Sequence, residues 1–442
     1  MADNVVVPNF SPCSRLERLW MKARFFLKEA FLGNPAVDAK WFPRYAFWAA
    51  FAIGLLIRGY LVVFTSGTYD VGIWRDHAMG IHELGLMGYY RANPLANHPP
   101  VACVLISSLF SYSEWFGVPF SILLRAPFAA LDVGILLLLL YLLRDRPMRF
   151  LAGACYWLNP AVLILSAYHG NTDNVVGFSV LLSIVLLSKD RPIAAGVALG
   201  LGLWIKLPGM LAIPVLFFAA AWWKRRFQFL VAVGATAMVA FLPAMMSDFS
   251  VVWRNVFGYR GQMLHSTNGT LIWGLINVFA RIYAAVGGWS DPITACIAAV
   301  LGRGQMIAYV VIAVFAIMRK AQRTGVGIGV TLAAAYGAVY AFSPQWAFQY
   351  LLWSMPLWFL LPVGFYLPAV LVASSYIYFL YWFLCGDPWL LGPWDFIGNP
   401  RWPPLVLLAR DASVAFFTLT TFVFFVFFAK NLKRKATPNL PS

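Results

Sequence analysis

The chain has 442 residues, of which 61% are hydrophobic, 17% aromatic and only 11% charged, and Lys and Arg outnumber Asp and Glu by 33 to 17. A soluble domain carries about 25% charged residues, so this composition excludes a cytosolic enzyme and a disordered protein. The net charge of +16 sits in short basic clusters between long apolar runs, which argues against nucleic acid as a partner and for an all-α, polytopic transmembrane helix bundle.

In chain order, Ser14-Arg15-Leu16-Glu17 reads as a capping box, opening an amphipathic helix that Gly33 closes; with its basic flank, segment 1–44 is expected to lie on a cytoplasmic leaflet. At about 17–25 apolar residues per crossing, spans are expected over 45–65, 119–143, 150–168, 227–246, 293–317, 325–342 and 404–429, with a shorter one at 174–188. The runs 193–223 and 350–384 are long enough for two crossings each, broken at Leu207-Pro208-Gly209 and near Pro362-Val363-Gly364. That makes about twelve spans, and 99–118 and 270–288 are left as re-entrant or interface-lying helices of the outer face. Cations set the orientation: segments 1–44, 144–149, 189–191, 224–226, 319–323 and 430–442 hold 22 of them, whereas the outer segments hold six. Residues 45–268 are read as a core transmembrane module with its first outer loop at 66–118, and 269–442 as a variable C-terminal module with a cytoplasmic tail. Cys13, Cys103, Cys155, Cys296 and Cys385 show no paired spacing of a zinc site or disulfide framework.

Polar residues collect at five places. In the first outer loop, Asp70 suits a helix N-cap and Ile73, Trp74, Ala78, Ile81 and Leu84 make the apolar side of a surface helix that also carries Asp76. Tyr168-His169-Gly170-Asn171-Thr172-Asp173-Asn174 is a short outer turn in which Asp173 is placed to cap the next helix. Lys206 interrupts an apolar run, where a charge is costly and ordinarily faces a cavity or partner. The outer loop after residue 246 brings Arg260 and His265, and Ser343-Pro344-Gln345-Trp346 makes an aromatic, amide-rich turn. Each has a bland alternative: Asp70 and Asp173 as caps, Asp76 and His265 as solvated side chains, the aromatic turn as an interfacial belt. Five cations fall inside the spans, Arg58, Arg125, Lys206, Arg303 and Arg410, all at depths of about 20–30 Å from the cytoplasmic end. A cationic cavity opening outward accounts for them economically and would suit a phosphate. Arg125 is also placed to pair with Asp132, and Arg410 with Asp411.

These residues resemble the GT-C class of polytopic glycosyltransferases, over about 45–365. The likeness is strongest to the branch of the first GPI mannosyltransferase's catalytic subunit and related bacterial polyprenyl-phosphate-dependent mannosyltransferases. In Asp70-Val71-Gly72-Ile73-Trp74-Arg75-Asp76, Asp70 matches the second acid of that branch's Asp-x-Asp element, whose first acid is here Thr68, and Asp76 matches the further Asp that follows it after an aromatic. Leu158-Asn159-Pro160, Gly170-Asn171-Thr172-Asp173, Lys206-Leu207-Pro208 and Ser343-Pro344-Gln345 with Tyr350-Leu351-Leu352-Trp353 follow in order.

The resemblance implies a GT-C-like fold and transfer of a hexose, mannose before others, from a polyprenyl or dolichyl phosphate carrier to a lipid or glycan acceptor on the non-cytoplasmic side. It implies Asp70 as acceptor base and Asp76 or Asp173 as orienting acids. Lys206, Arg260, His265 and Arg303 are expected on the leaving phosphate, and Asn171 and Gln345 on sugar or acceptor. No cofactor is implied, although a divalent metal stays compatible with the acids; a small membrane subunit is a further expected partner. A bacterial cytoplasmic membrane is favoured over the endoplasmic reticulum. The alternative from another class is a secondary transporter or lipid flippase, which would place its charges at the midplane and show internal repeats.

Overall fold

A computed structural model describes residues 42–436, except 260–263, 266–269, 289, 321, 323 and 400. The expected helix over 14–33, and Arg260, lie outside these. Among the described residues the chain is all-helical, with one isolated β-bridge between His265 and Leu271. The elements are α1 (Arg44–Phe64), α2 (Tyr69–Ala92), α3 (Pro100–Phe116), α4 (Phe120–Leu142), α5 (Arg149–Trp157) and α6 (Pro160–Tyr168). Next come α7 (Asn174–Ser188), α8 (Pro192–Leu203), α9 (Leu207–Ala219), α10 (Trp223–Phe257) and α11 (Leu275–Ala285). The chain continues through α12 (Asp291–Gly302), α13 (Gly304–Met318), α14 (Gly325–Phe342), α15 (Val363–Cys385) and α16 (Pro404–Ala436).

Among the described residues six helices are long and apolar enough to cross a membrane, namely α1, α4, α10, α14, α15 and α16, or eight if the bent pairs α5–α6 and α12–α13 each make one span. Length and apolar composition thus support six to eight spans; a tally of twelve also counts the shorter α7, α8 and α9 and a segment before α15. That last segment is no full-length helix: Phe348–Trp353 is a 3-10 turn and Met355–Trp358 a single short helix, both buried among their neighbours. Pro356 and Pro362 remove the amide donors a continuous helix would need. The bends have local causes. Pro160 lacks a donor, and Asn159 caps the new helix by accepting from the Ala161 amide at 2.9 Å, which turns α6 46° away from α5. The 59° bend between α12 and α13 lies at Arg303, where Gly304 presses so closely on the Phe342 carbonyl that a side chain has no room.

Three of the five intramembrane cations do not line a cavity. Arg58 is buried and donates to Asp132 at 3.0 Å and to the Gly54 and Trp157 carbonyls, with its guanidinium over the Trp157 ring. Asp132 therefore pairs with Arg58, not with Arg125, and also accepts from Ser166 at 2.6 Å. Arg125, fully buried, is drawn instead to the C-terminal carbonyls of α1 that have no helical partner, Leu61, Val62 and Thr65, at 2.6–3.0 Å. Arg410 does pair with Asp411, at 2.9 Å, and donates to the Leu271 carbonyl. The cost of burying these charges is met by hydrogen bonds within the bundle.

The main apolar core runs from Phe47 to Phe428, so it draws on both sides of residue 268. One end of this bundle carries the C-terminus of α1, the turn between α6 and α7, the break before α9, the turn after α14 and the C-terminus of α15. The candidate residues gather there.

Candidate active site

Two loops form the floor. Gly67 and Gly170 both have positive φ, at +78° and +81°, and a Cβ on either would strike the Val71 side chain. With glycine there, the loop before α2 and the loop after α6 lie against each other. The Thr68 hydroxyl donates to the His169 carbonyl at 2.8 Å, and Arg125 holds the end of α1 from below. Thr68, not Asp70, is the N-cap of α2: its hydroxyl accepts from the Asp70 amide. The Asp70 carboxylate is thereby free to turn into the site.

There it accepts from Asn171 Nδ2 at 2.6 Å and meets His169 Nε2 at 3.1 Å, while keeping 29% of its side chain open. His169 Nδ1 is held in turn by the Tyr381 hydroxyl of α15 at 2.5 Å. Burial pushes the Asp70 carboxyl upward, but His169, Asn171 and Lys206 together outweigh it and hold it below the usual carboxylate range. Asp70 is thus an ionised acceptor at neutral pH.

A second carboxylate stands behind the first. Asp173 occupies the N-cap position of α7, yet its side chain makes no cap bond. It is fully buried, accepts from Trp353 Nε1 at 2.5 Å and pairs with Lys206 Nζ at 3.2 Å. Lys206 also donates to Asn171 Oδ1 at 3.1 Å. The chain Asp70–Asn171–Lys206–Asp173 therefore links the first three polar collections. The Pro208 break delivers the lysine: α8 ends at Leu203, and extended backbone at Lys206 turns its side chain across the bundle end.

The other candidates fall differently. Asp76 is exposed and outside this network. Six residues on from Asp70 is about 240° round the helix, whereas Trp74 and His77 return to within about 40° of it. Arg303 is exposed at the α12–α13 bend, and the helix it starts packs on the carbonyl of Phe342, beside the Gln345 turn. Gln345 is half-buried with its Oε1 shielded and without a hydrogen-bond partner among the described residues. His265 is exposed, in its bridge to Leu271. Neither His265 nor Arg303 joins the Lys206 cluster. Residues absent from the sequence-based set include His169, Tyr381, Trp353 and His98. His169 lies within the polar turn 168–174 and Trp353 closes the Tyr350-Leu351-Leu352-Trp353 motif, whereas Tyr381 looks like an ordinary span aromatic until the fold brings it in.

Among the described residues no three His, Cys, Asp or Glu side chains converge as metal ligands. Two surface cavities lie away from this site, one of about 630 Å³ between the α7–α8 turn and the start of α10, another of about 330 Å³ between α1, α5 and α15.

An apolar helical bundle that carries an ionised, partly open carboxylate beside a buried lysine–aspartate pair has the build of a multi-pass membrane enzyme. Residues 98–323, just over half the chain, match the model of glycosyltransferase family 87. The chain belongs to that family, which is of the GT-C-type membrane glycosyltransferases. The match includes Asn171, Asp173 and Lys206 and begins after Asp70. It sets aside the transporter alternative and says nothing of the GPI mannosyltransferase branch. No curated protein matches the chain.

Proposed function

We propose that the protein transfers a hexose from a polyprenyl phosphate carrier to a lipid or glycan hydroxyl, with Asp70 as the acceptor base. The observation that carries this reading is the Asp70 carboxylate itself. It is ionised, partly open and fixed by two donors on one oxygen, with an ammonium group behind it. An acceptor hydroxyl aligned by Asp70 attacks the anomeric carbon as the bond from that carbon to the phosphate oxygen breaks. The electron pair leaves with the phosphate and the hydroxyl proton passes to Asp70. A carboxylate held below its usual pKa is a weak base, which suits a late proton transfer from a hydroxyl already bonding to an oxocarbenium-like centre. Lys206 supplies positive charge for the departing phosphate, and its pairing with Asp173 at 3.2 Å keeps that ammonium aimed.

The charge asymmetry favours catalysis on the non-cytoplasmic face, in a bacterial cytoplasmic membrane before the endoplasmic reticulum. Mannose is the first sugar to try, because the short motifs resemble those of mannosyltransferases. The test is purified protein with polyprenyl-phosphate hexoses and a membrane lipid extract as acceptor. Asp70→Asn should lower turnover at least about 100-fold; turnover near that of the unmodified chain would remove Asp70 as base.

A further inference from the structure

The wall opposite Lys206 contains a histidine that the reaction scheme has not used. Asp70, Trp74 and His77 share one face of α2, at spacings of four and three residues. His98, on the short segment joining α2 to α3, lays its ring on buried Trp74 at a centroid distance of 4.2 Å and stands 5.7 Å from the His77 ring. The segment is pinned on every side. Tyr90 donates its hydroxyl to the His98 carbonyl at 2.6 Å, and Asn255 of α10 donates to the carbonyls of Tyr90 and Asn93. The Ala102 amide, one turn into α3, donates to the Trp204 carbonyl two residues before Lys206. The backbones that carry His98 and Lys206 are therefore tied together.

The charged and titratable side chains facing the His98 ring are Asp70 and His77 from α2 and Lys206 from the break before α9. The Tyr90 hydroxyl and the Cys103 thiol face its carbonyl. His77 is occupied by the Tyr89 hydroxyl, which Asn93 holds at 2.8 Å. His98 is the imidazole left to meet a ligand at this wall.

We propose that His98 and Lys206 together form the seat of the donor's phosphate, Lys206 from the break before α9 and His98 from the α2–α3 segment. This deepens the proposed transfer reaction and rests on it. Burial, with Lys206 and His77 adding to it, holds the free imidazole well below its ordinary pKa, so it is neutral near pH 7 in the empty site. A phosphate anion placed between His98 and Lys206 reverses the local balance and favours the imidazolium. Binding of the anion then takes up a proton, and between the free and bound pKa values affinity falls about tenfold for each unit of rising pH.

The test uses the full chain in nanodiscs and farnesyl methyl phosphate, a diester with no group titrating near neutrality, so that any proton taken up belongs to the protein. Calorimetry in buffers of different ionisation enthalpy counts protons, and affinity is followed from pH 6 to pH 8. The expected result is proton uptake approaching one per ligand, at least about tenfold weaker binding in His98→Gln with the pH dependence abolished, and unchanged binding in His82→Gln, an exposed imidazole of α2. Equal affinity and proton uptake in His98→Gln overturns the assignment and leaves the donor class standing. Absence of binding to the unmodified chain overturns both. Should His98→Gln fail to fold, the proton count of the unmodified chain decides alone, and a count of zero overturns the assignment.

Discussion

Removing the Asp132 carboxylate tests whether the intramembrane charges hold the fold or serve the site. Arg58 is 3% exposed, and its guanidinium reaches Asp132 through both Nε and Nη2 at 3.0 Å. Asp132→Asn keeps the shape and strips the counter-charge, leaving a buried cation with two carbonyls and a tryptophan face for company. Breaking one side of such a pair costs about 3–5 kcal/mol, a factor of roughly 10² to 10⁴ in the folding equilibrium. Arg58→Met alone should cost a similar amount. It leaves a buried carboxylate whose remaining donors are Ser166 at 2.6 Å and longer contacts from Tyr156 and Asn174. The double variant removes both charges, so its cost should fall short of the sum of the two by at least about 2 kcal/mol. Unfolding in mixed micelles by titration with SDS, followed through tryptophan fluorescence, measures all three. Additivity within about 0.5 kcal/mol would refute the pairing. The exposed pair Arg91–Asp248, with 53% of the arginine side chain in the open, is the control and should show little change when broken.

Lys206→Met strands the buried Asp173 carboxylate and should abolish transfer, whereas Lys206→Arg should retain a measurable part of it; comparing turnover of the two separates charge from position. Gly170→Ala forces a side chain onto Val71 at a positive φ, and should destabilise by about 1–3 kcal/mol while lowering activity, because the same turn aims His169 and Asn171. Asp76→Asn should leave turnover within about threefold, in keeping with an exposed side chain outside the network. For pH, Asp70 is held below its usual pKa, so the stability and activity it confers are present above the ordinary carboxylate range and vanish as pH falls through the lowered value. Asn171→Ala leaves burial less opposed, so the acid limb of kcat/KM should move upward; an unmoved limb would show that the limb belongs to another group.

Much of the candidate site was legible in the sequence because polar residues in apolar runs are expensive and stand out. The Asn171–Asp173 turn and Lys206 were found on that ground, and the structure joins them. Asp70 was found as well, although its place as an N-cap belongs to Thr68: both residues suit a cap, and only the backbone decides which hydroxyl or carboxylate faces the amide. Asp76 looked equivalent to Asp70 because both are acids in one loop, but helical periodicity turns it to the other side.

The class of molecule, an all-helical membrane bundle, can be read from the chain alone, because hydrophobicity is a sum over residues and needs no neighbours in space. So can the breaks at Pro208 and before Val363, since proline acts on its own backbone, whereas the bends at Asn159–Pro160 and Arg303 fall inside stretches expected as single spans. What the cations do depends on packing in three dimensions. Depth along a helix is one coordinate, and it could not distinguish Arg125, taken up by the carbonyls at the end of α1, from Lys206, which reaches Asn171 and Asp173. Partners such as Tyr381 and His98 carry no local signal, and Trp353, although it closes the Tyr350-Leu351-Leu352-Trp353 motif, gives no sign in the sequence that its indole meets Asp173. Their roles exist only where the helix ends meet.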